Sequence, residues 1–392
     1  MGKRIGIEVS IAVAEAVKLC DVDVISAYPI TPQTHIVERL SEIIADGELD
    51  AEFIPVESEH TAISVAAGAS ATGARVYTAT SAQGLALMHE ILFIVSSMRL
   101  PVVMTVANRA LSAPISIWCD HSDIMAERDI GWIQTFAING QETYDLTFHA
   151  FRVAEDHRVL LPAVVNFDGF TLTHVIESIE MAEKEAVDRY LPPYQPKLRL
   201  DPDHPITMGP VGVPEIYSEA RRQLEVSLLS SKKVIVEAWE EFGRIFGRYY
   251  HPIETYRTED ASTILITMGS ATETAMLAVD SLRDKGQKVG LVYIRLWRPF
   301  PHEEFFEAVR EAKVIAVLDR AISYGMGGGP VFSEVKASLY NLTQRPYIKN
   351  FVAGLGGRDI PIENFIEMVN RAEFSAANGL PPTYEHLDVR EE

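Results

Sequence analysis

The sequence predicts an α/β protein built on parallel sheets, in more than one unit. Three observations carry this. Strand-like and helix-like segments alternate up to residue 170, the alternation resumes between Ala261 and about Arg371, and a Pro-rich stretch of different composition separates the two runs. At 392 residues with 47% hydrophobic content, the chain also exceeds the length at which a single core usually stops growing.

Taken in order, residues 8–19 place Val9, Ala12, Val13 and Val17 at helical spacing, and residues 22–27 (VDVISA) read as a strand. Residues 32–44 follow as a helix whose proline stands near its start, where a missing N–H costs nothing. The pattern continues with strand 52–56, helix 59–72, strand 75–80, helix 83–96, strand 101–107, helix 141–157 and strand 163–167. Between Ala107 and Asn139 the alternation lapses into a long loop, and Trp118 and Trp132 within it argue for order rather than disorder. LPPYQPKLRLDPDHPITMGPVGVP reads as a linker, and residues 214–246 as a charged helix. The second run offers strands 263–268, 288–294 and 314–319 with helices 272–285, 303–312 and 331–340. The expected boundaries are 1–175, a connection 176–256, a second α/β unit 257–372 and a tail 373–392 that could lie on a partner.

Composition excludes several functions. There are 35 Lys and Arg against 55 Asp and Glu, a net charge of -20, which argues against nucleic acid or an anionic membrane as partner. The N-terminal apolar positions are interrupted by Glu8, Ser10, Glu15 and Lys18, unlike a signal peptide, and no window has the length of a membrane span. Cys20 and Cys119 are the only cysteines, so a cytoplasmic, reduced protein is expected, and iron–sulfur clusters would have to sit on another chain.

In open parallel sheets ligands bind beyond the carboxyl ends of the strands. That rule selects Tyr28-Pro29-Ile30-Thr31-Pro32, Pro55-Val56-Glu57-Ser58-Glu59-His60, Ser81-Ala82-Gln83-Gly84 and Asn108-Arg109-Ala110. Arg109 offers a fork suited to a carboxylate and Thr31 a hydroxyl donor, while Glu59 at a helix start can share a proton with a heteroaromatic nitrogen. The plainer readings are helix capping and first-turn dipole pairing for Glu57 and Glu59, and a surface ion pair for Arg109.

The runs AYPITPQTHIVE, PVESEHTAISVAAGASATGARVYTATSAQGLALMHE, LPVVMTVANRALSAPISIW and DHSDIMAERDIGWIQ resemble the alpha subunit of multi-subunit 2-oxoacid:ferredoxin oxidoreductases of the pyruvate type. VLDRAISYGMGGGPVFSEVKASLY and VAGLGGRDI resemble its C-terminal part, so the likeness extends over nearly the whole chain. The resemblance implies a pyrimidine-binding-type thiamine diphosphate domain followed by a transketolase-C-terminal-like α/β domain. It makes Glu59 the residue that activates the cofactor's pyrimidine, with Pro29, Ile30, Gln83, Gly84 and His60 around the cofactor. It makes Thr31, Arg109 and Asn108 the residues that hold the substrate. The implied reaction is coenzyme-A-dependent oxidative decarboxylation of a 2-oxoacid, pyruvate foremost, with ferredoxin as acceptor. A branched or aryl 2-oxoacid, or a scaffold that has lost its chemistry, are the rival readings.

The metal-binding half of a thiamine site carries Gly-Asp-Gly followed by Asn, and no Gly-Asp-Gly occurs here. The expectation is therefore half a site. A beta subunit would supply the diphosphate and Mg²⁺ site, a ferredoxin-like subunit the [4Fe-4S] clusters, and a gamma-type subunit the remainder. GMGGGP and GLGGRD complete neither G-x-G-x-x-G nor a P-loop and read as turns and helix starts at a subunit contact. His60, His89 and His121 lie near the proposed edge, and Cys119 reads as a structural thiol.

Overall fold

The structure is a computed structural model that describes residues 2–381 and 383–390. The N-terminal half contains β1 (Arg4–Glu8), α1 (Val9–Leu19), β2 (Val24–Ala27), α2 (Thr34–Ala45), β3 (Glu52–Pro55), α3 (Glu59–Ala71), β4 (Val76–Thr80), α4 (Ala82–Ser97) and β5 (Val103–Asn108). Then come α5 (Ser122–Ala126), β6 (Ile133–Phe136), α6 (Gly140–Ala154), β7 (Ala163–Asp168), β8 (Ile176–Glu180), α7 (Lys184–Tyr190) and α8 (Pro214–Phe246). The C-terminal part adds β9 (Ile253–Tyr256), β10 (Thr263–Thr267), α9 (Ala271–Asp284), β11 (Val289–Ile294), β12 (Leu296–Arg298) and α10 (His302–Val309). It ends with β13 (Val314–Asp319), α11 (Pro330–Leu339), β14 (Tyr347–Val352), α12 (Ile362–Ala377) and β15 (Tyr384–His386).

Two large sheets result. One has seven strands in the order β12-β6-β7-β5-β4-β2-β3, parallel except for β12 at its edge. The other has six in the order β15-β14-β13-β10-β11-β9, parallel except for β9. In the first the chain leaves β2 toward β3 and returns to β4 on the other side; in the second it leaves β10 toward β11 and returns to β13. Strand order thus reverses between β2 and β4 in the first sheet and between β10 and β13 in the second, the kind of place where parallel α/β sheets open a crevice.

The parallel strands are apolar on both faces because helices cover both. Val103 and Ala107 of β5 pack into one core with α1, α6 and α8, while Met104 and Val106 face a second core. That second core is shared: it joins β4 and β5 to Val292, Trp297, Ile315 and Val317 of the C-terminal part. Helix α8 starts with Pro214 at its first turn and stops at Gly247, whose φ of +76° suits glycine. Only its second half is buried, through Val234, Ile235, Ala238, Trp239 and Phe242; the aromatic pair contributes about 1.5–3 kcal/mol per side chain by area removed from water.

The expected strands and helices of the two runs are present, and the structure adds elements the periodicity did not reveal. The loop expected between Ala107 and Asn139 contains α5 and β6. Strand β6 is four residues long and is held by partners distant in sequence, β7 and β12, so local pattern alone could not announce it. Strands β1 and β8 pair antiparallel outside both large sheets for the same reason. Helix α12 runs past residue 373, and Tyr384–His386 of the expected tail pairs in parallel with β14.

Candidate active site

The loops after β2, β3, β4 and β5 all leave one edge of the seven-stranded sheet, because those strands are parallel. The β2 loop is pinned across the reversal point by Gln33. This fully buried side chain donates through Nε2 to the carbonyls of Tyr28, at 3.1 Å, and Ala79, at 2.8 Å. Pro29 and Thr31 stay exposed on that loop, with Ile30 half-buried.

After β3 the structure separates the two glutamates that capping would have treated alike. Ser58 is the cap of α3, accepting from the Thr61 N–H at 3.3 Å, and Glu57 takes the Thr61 hydroxyl. Glu59 does neither. It is only 6% exposed, and its carboxylate finds no hydrogen-bond partner among the described residues. It lies against the start of α4: a Cβ on Gly84 would stand 2.6 Å from Glu59 Oε1 and 2.5 Å from Thr80 Oγ1. Buried polar atoms are nearly always satisfied, yet Thr80 Oγ1, Gln83 Oε1, Gln33 Oε1 and Asn108 Oδ1 cluster at this edge without partners. His60, the next residue of α3, is half-buried and reaches only Glu90, at 4.0 Å.

At the end of β5, Arg109 is buried and makes no ion pair among the described residues, so the surface-pair reading does not hold. Its Nε donates to the Ser116 carbonyl at 2.7 Å and its Nη1 to the Thr31 carbonyl at 2.9 Å, which brings Thr31 and Arg109 together and leaves further N–H donors of the guanidinium free. Burial pulls its pKa down against the nearby charge of Asp123. Asn108, fully buried, donates to Asp123 Oδ1 and Asn166 Oδ1, both at 3.2 Å. A cleft of about 1140 Å³ opens one residue further on, between Ala110 to Ser116 and Ala321 to Pro330; neither Glu59, Thr31 nor Arg109 lines it.

Two residues that strand-edge reasoning passed over, Asp123 and Asp168, organise this edge. Asp168, at the end of β7 and paired in register with Asn108, accepts from His121 Nε2 at 2.8 Å, from the Ser270 N–H at 3.0 Å, from the Ser270 hydroxyl and from Arg320 Nη1 at 2.5 Å. Burial works to raise its pKa, but Arg320 and His121 hold the carboxylate well below the ordinary range. His121 is therefore a buried partner of Asp168. His89, by contrast, is half-exposed and meets Glu127 at 2.6 Å. Cys119, Asp168 and His121 lie within 4.8 Å of one another, but Arg320 already supplies the positive charge a metal would bring. Cys119 itself is buried, and burial keeps its thiol protonated. The only signal in the sequence was the density of polar residues in CDHSD, inside a stretch without periodicity.

A buried carboxylate without a hydrogen-bond partner and a buried guanidinium without an ion pair, among the described residues and on one edge of a parallel sheet, mark a ligand-binding α/β protein. Comparison with known proteins gives the family. Residues 15–240 match the model described as pyruvate flavodoxin/ferredoxin oxidoreductase, thiamine diP-bdg, and residues 261–365 match pyruvate:ferredoxin oxidoreductase core domain II. The chain is 52% identical over 365 residues to pyruvate synthase subunit PorA of Methanocaldococcus jannaschii, covering 92% of this chain and 93% of the relative. It is 46% identical to the PorA of Thermotoga maritima over 99% of each, and 48% identical to the ketoisovalerate oxidoreductase subunit VorA of Pyrococcus abyssi over 90% and 89%. Among solved structures, a 2-oxoglutarate:ferredoxin oxidoreductase from Magnetococcus marinus superposes with a TM-score of 0.73 at 20% identity, covering 96% of this chain and 66% of that one. A split gene transketolase superposes at 0.55 and 13% identity, covering 94% and 98%. The chain belongs to the pyruvate:ferredoxin oxidoreductase family, and its activity class is that of a 2-oxoacid:ferredoxin oxidoreductase.

Proposed function

We propose that this chain is the subunit that activates thiamine diphosphate and grips the 2-oxoacid in a complex converting pyruvate and coenzyme A to acetyl-CoA and CO2, with the electrons passing to ferredoxin. The observation that carries the reading is the buried Glu59 carboxylate, without a hydrogen-bond partner among the described residues and walled by Gly84. The thiamine pyrimidine fits this edge: it needs a carboxylate against a ring nitrogen and polar groups beside it, and Glu59, Gln83 Oε1 and Thr80 Oγ1 are open there.

When bound, thiamine diphosphate supplies the carbon nucleophile that loss of CO2 from a 2-oxoacid requires. The chain's own residues do the rest of the work proposed here. Glu59 holds a proton at its carboxylate against the ring nitrogen; buried away from water, that contact is stronger than an exposed one would be. Gly84 leaves the space a side chain would fill, and Gln83, Pro29, Ile30 and His60 supply the polar and apolar rim. Arg109 receives the substrate carboxylate on the N–H groups that Thr31 and Ser116 leave free, with the Thr31 hydroxyl and Asn108 Oδ1 nearby on the same edge.

The diphosphate with its Mg²⁺ and the [4Fe-4S] clusters are assigned to companion beta, ferredoxin-like and gamma-type subunits, with an external ferredoxin as acceptor. Support comes from the absent Gly-Asp-Gly and from two buried cysteines that cannot ligate a cluster. No helix among the described residues is long and apolar enough to cross a membrane, and a cytoplasmic complex is part of the proposal. The likeness to a ketoisovalerate relative at 48% keeps a branched substrate as the second reading.

The test is to purify the intact complex through a tag on this chain and follow coenzyme-A-dependent reduction of a low-potential dye with pyruvate, 2-oxoisovalerate and phenylglyoxylate. Pyruvate is expected to be preferred, and Glu59→Gln to lose about 10²–10⁴ in kcat. Full activity in Glu59→Gln would overturn the reading.

A further inference from the structure

We propose that Asp123 is a positioning residue for this reaction, holding the backbone that carries Arg109 at a set distance from the helix start that walls Glu59. The inference rests on the functional reading above. Asp123 lies on α5, within the stretch that showed no sequence periodicity, and is 1% exposed. Its Oδ2 accepts from the N–H of Arg109 at 2.9 Å and from the N–H of Ala82 at 3.1 Å. Its Oδ1 accepts from the Ile124 N–H at 2.7 Å and from Asn108 Nδ2 at 3.2 Å. One oxygen thus ties the β5 exit to the β4 exit, and the other orients the Asn108 side chain.

Both tied segments belong to the site. Arg109 bears the guanidinium; Ala82 opens α4 two residues before Gly84, the glycine in contact with Glu59. Ala82 adopts φ +41°, a conformation costly for a residue with a Cβ, which the bond to Asp123 helps to hold. Ser81 Oγ, bonded to the Ala107 carbonyl at 2.7 Å, is a second stitch between the same two exits.

Four N–H groups converge on one side chain, and only an ionised carboxylate accepts from all of them. Asparagine would present its NH₂ to the Ile124 N–H and Asn108 Nδ2, or to the N–H groups of Arg109 and Ala82. The cost is a buried charge with no cation bonded to it, and burial pushes this carboxyl up to about 7 against the pull of the Arg109 and Ile124 N–H groups. A strut that served stability alone would not need a charge; one that must fix two backbones and an amide at once does.

The experiment compares Asp123→Asn with wild type in the intact complex, measuring KM for pyruvate and kcat separately, together with subunit content and melting temperature. A KM raised tenfold to a hundredfold in an assembled complex is expected, with kcat also reduced. Asp145→Asn is the control: Asp145, on α6, is equally buried and bonded to Arg248 and Tyr250 beyond the end of α8, and its loss should lower the melting temperature and leave KM within twofold of wild type. A wild-type KM in Asp123→Asn, whatever its stability, overturns the proposal. Should that variant fail to assemble, Asp123→Glu decides, since it keeps both oxygens on a longer arm: a raised KM supports positioning and an unchanged one rejects it. If Glu59→Gln is inactive while Asp123→Asn binds pyruvate normally, only this inference fails; if Glu59→Gln is fully active, the functional reading fails first.

Discussion

The two sheets reverse strand order in the same way, and their carboxyl edges have opposite fates. Between β2 and β4 of the seven-stranded sheet, the Glu59 carboxylate, Gln83 Oε1, Thr80 Oγ1 and Asn108 Oδ1 are buried or half-buried without partners among the described residues. Between β10 and β13 of the six-stranded sheet, the groups that leave the strands, Ser270 and Arg320, close on Asp168, a carboxylate supplied by the first sheet. The helix start beside them is paired as well, while the loop leading into it lines the cleft that opens opposite Ala110 to Ser116. Asp319 accepts from the N–H groups of Val331 and Phe332 and from Asn350 Nδ2, and Asn350 Oδ1 takes the Gly329 N–H. The end of GMGGGP is thus a helix start whose Gly329, Val331 and Phe332 N–H groups are already paired. A reversal point offers a crevice; whether it becomes a ligand site depends on what the chain leaves unsatisfied there.

This contrast can be broken at either edge. The largest effect is expected at the closed one: Asp168→Ala leaves Arg320 buried without its acid and should cost about 3–5 kcal/mol, read by denaturant unfolding. At the open edge, Gly84→Ala drives a methyl against Thr80 Oγ1 and Glu59, which should cost about 1–3 kcal/mol and also lower turnover roughly a hundredfold with reduced thiamine diphosphate retention. Gly329→Ala makes the matching change at the closed edge, where a Cβ would overlap the Asp319 carboxyl; about 1–3 kcal/mol of stability should go, with KM unmoved. If Gly84→Ala behaved like Gly329→Ala, the two edges would not differ as described.

Acidity sharpens the same contrast with the smallest effect. Asp168 is held below its unfolded pKa of about 3.9, so its stabilisation is complete at neutral pH and is lost only as pH falls below that value. Asp123 has the opposite sign. Its folded pKa of about 7 exceeds the unfolded one, so the native state holds its proton more tightly and stability falls as pH rises between the two values. Asp123→Asn, which cannot ionise, should therefore gain stability relative to wild type as pH rises from about 4 to about 7, by about 1 kcal/mol per pH unit through the steepest part. Equal slopes for both proteins would show that burial does not raise the Asp123 carboxyl above its unfolded value.

Much of this was legible from residue order. Periodicity located the parallel strands, and the rule that ligands sit beyond their carboxyl ends drew attention to Thr31, Glu59, Gly84 and Arg109 before any contact was known. The loop between Ala107 and Asn139 was illegible because α5 and β6 are too short for periodicity to register, and each is stabilised by partners far along the chain. Asp123 was missed for the same reason, since one acidic residue in a loop looks like any other until the groups it bonds are brought to it; Asp168 directly follows the expected strand 163–167, but its partners Ser270 and Arg320 come from the other sheet.

By itself, then, the sequence determined the α/β class, the family and the edge on which chemistry could occur, since these follow from local apolar spacing and contiguous motifs. Only the tertiary structure decided which carboxylates are spent on the chain's own N–H groups and arginines, and which one, Glu59, is left open. That distinction rests on burial and hydrogen-bond satisfaction, which are properties of what surrounds a group in space and not of its neighbours in the chain.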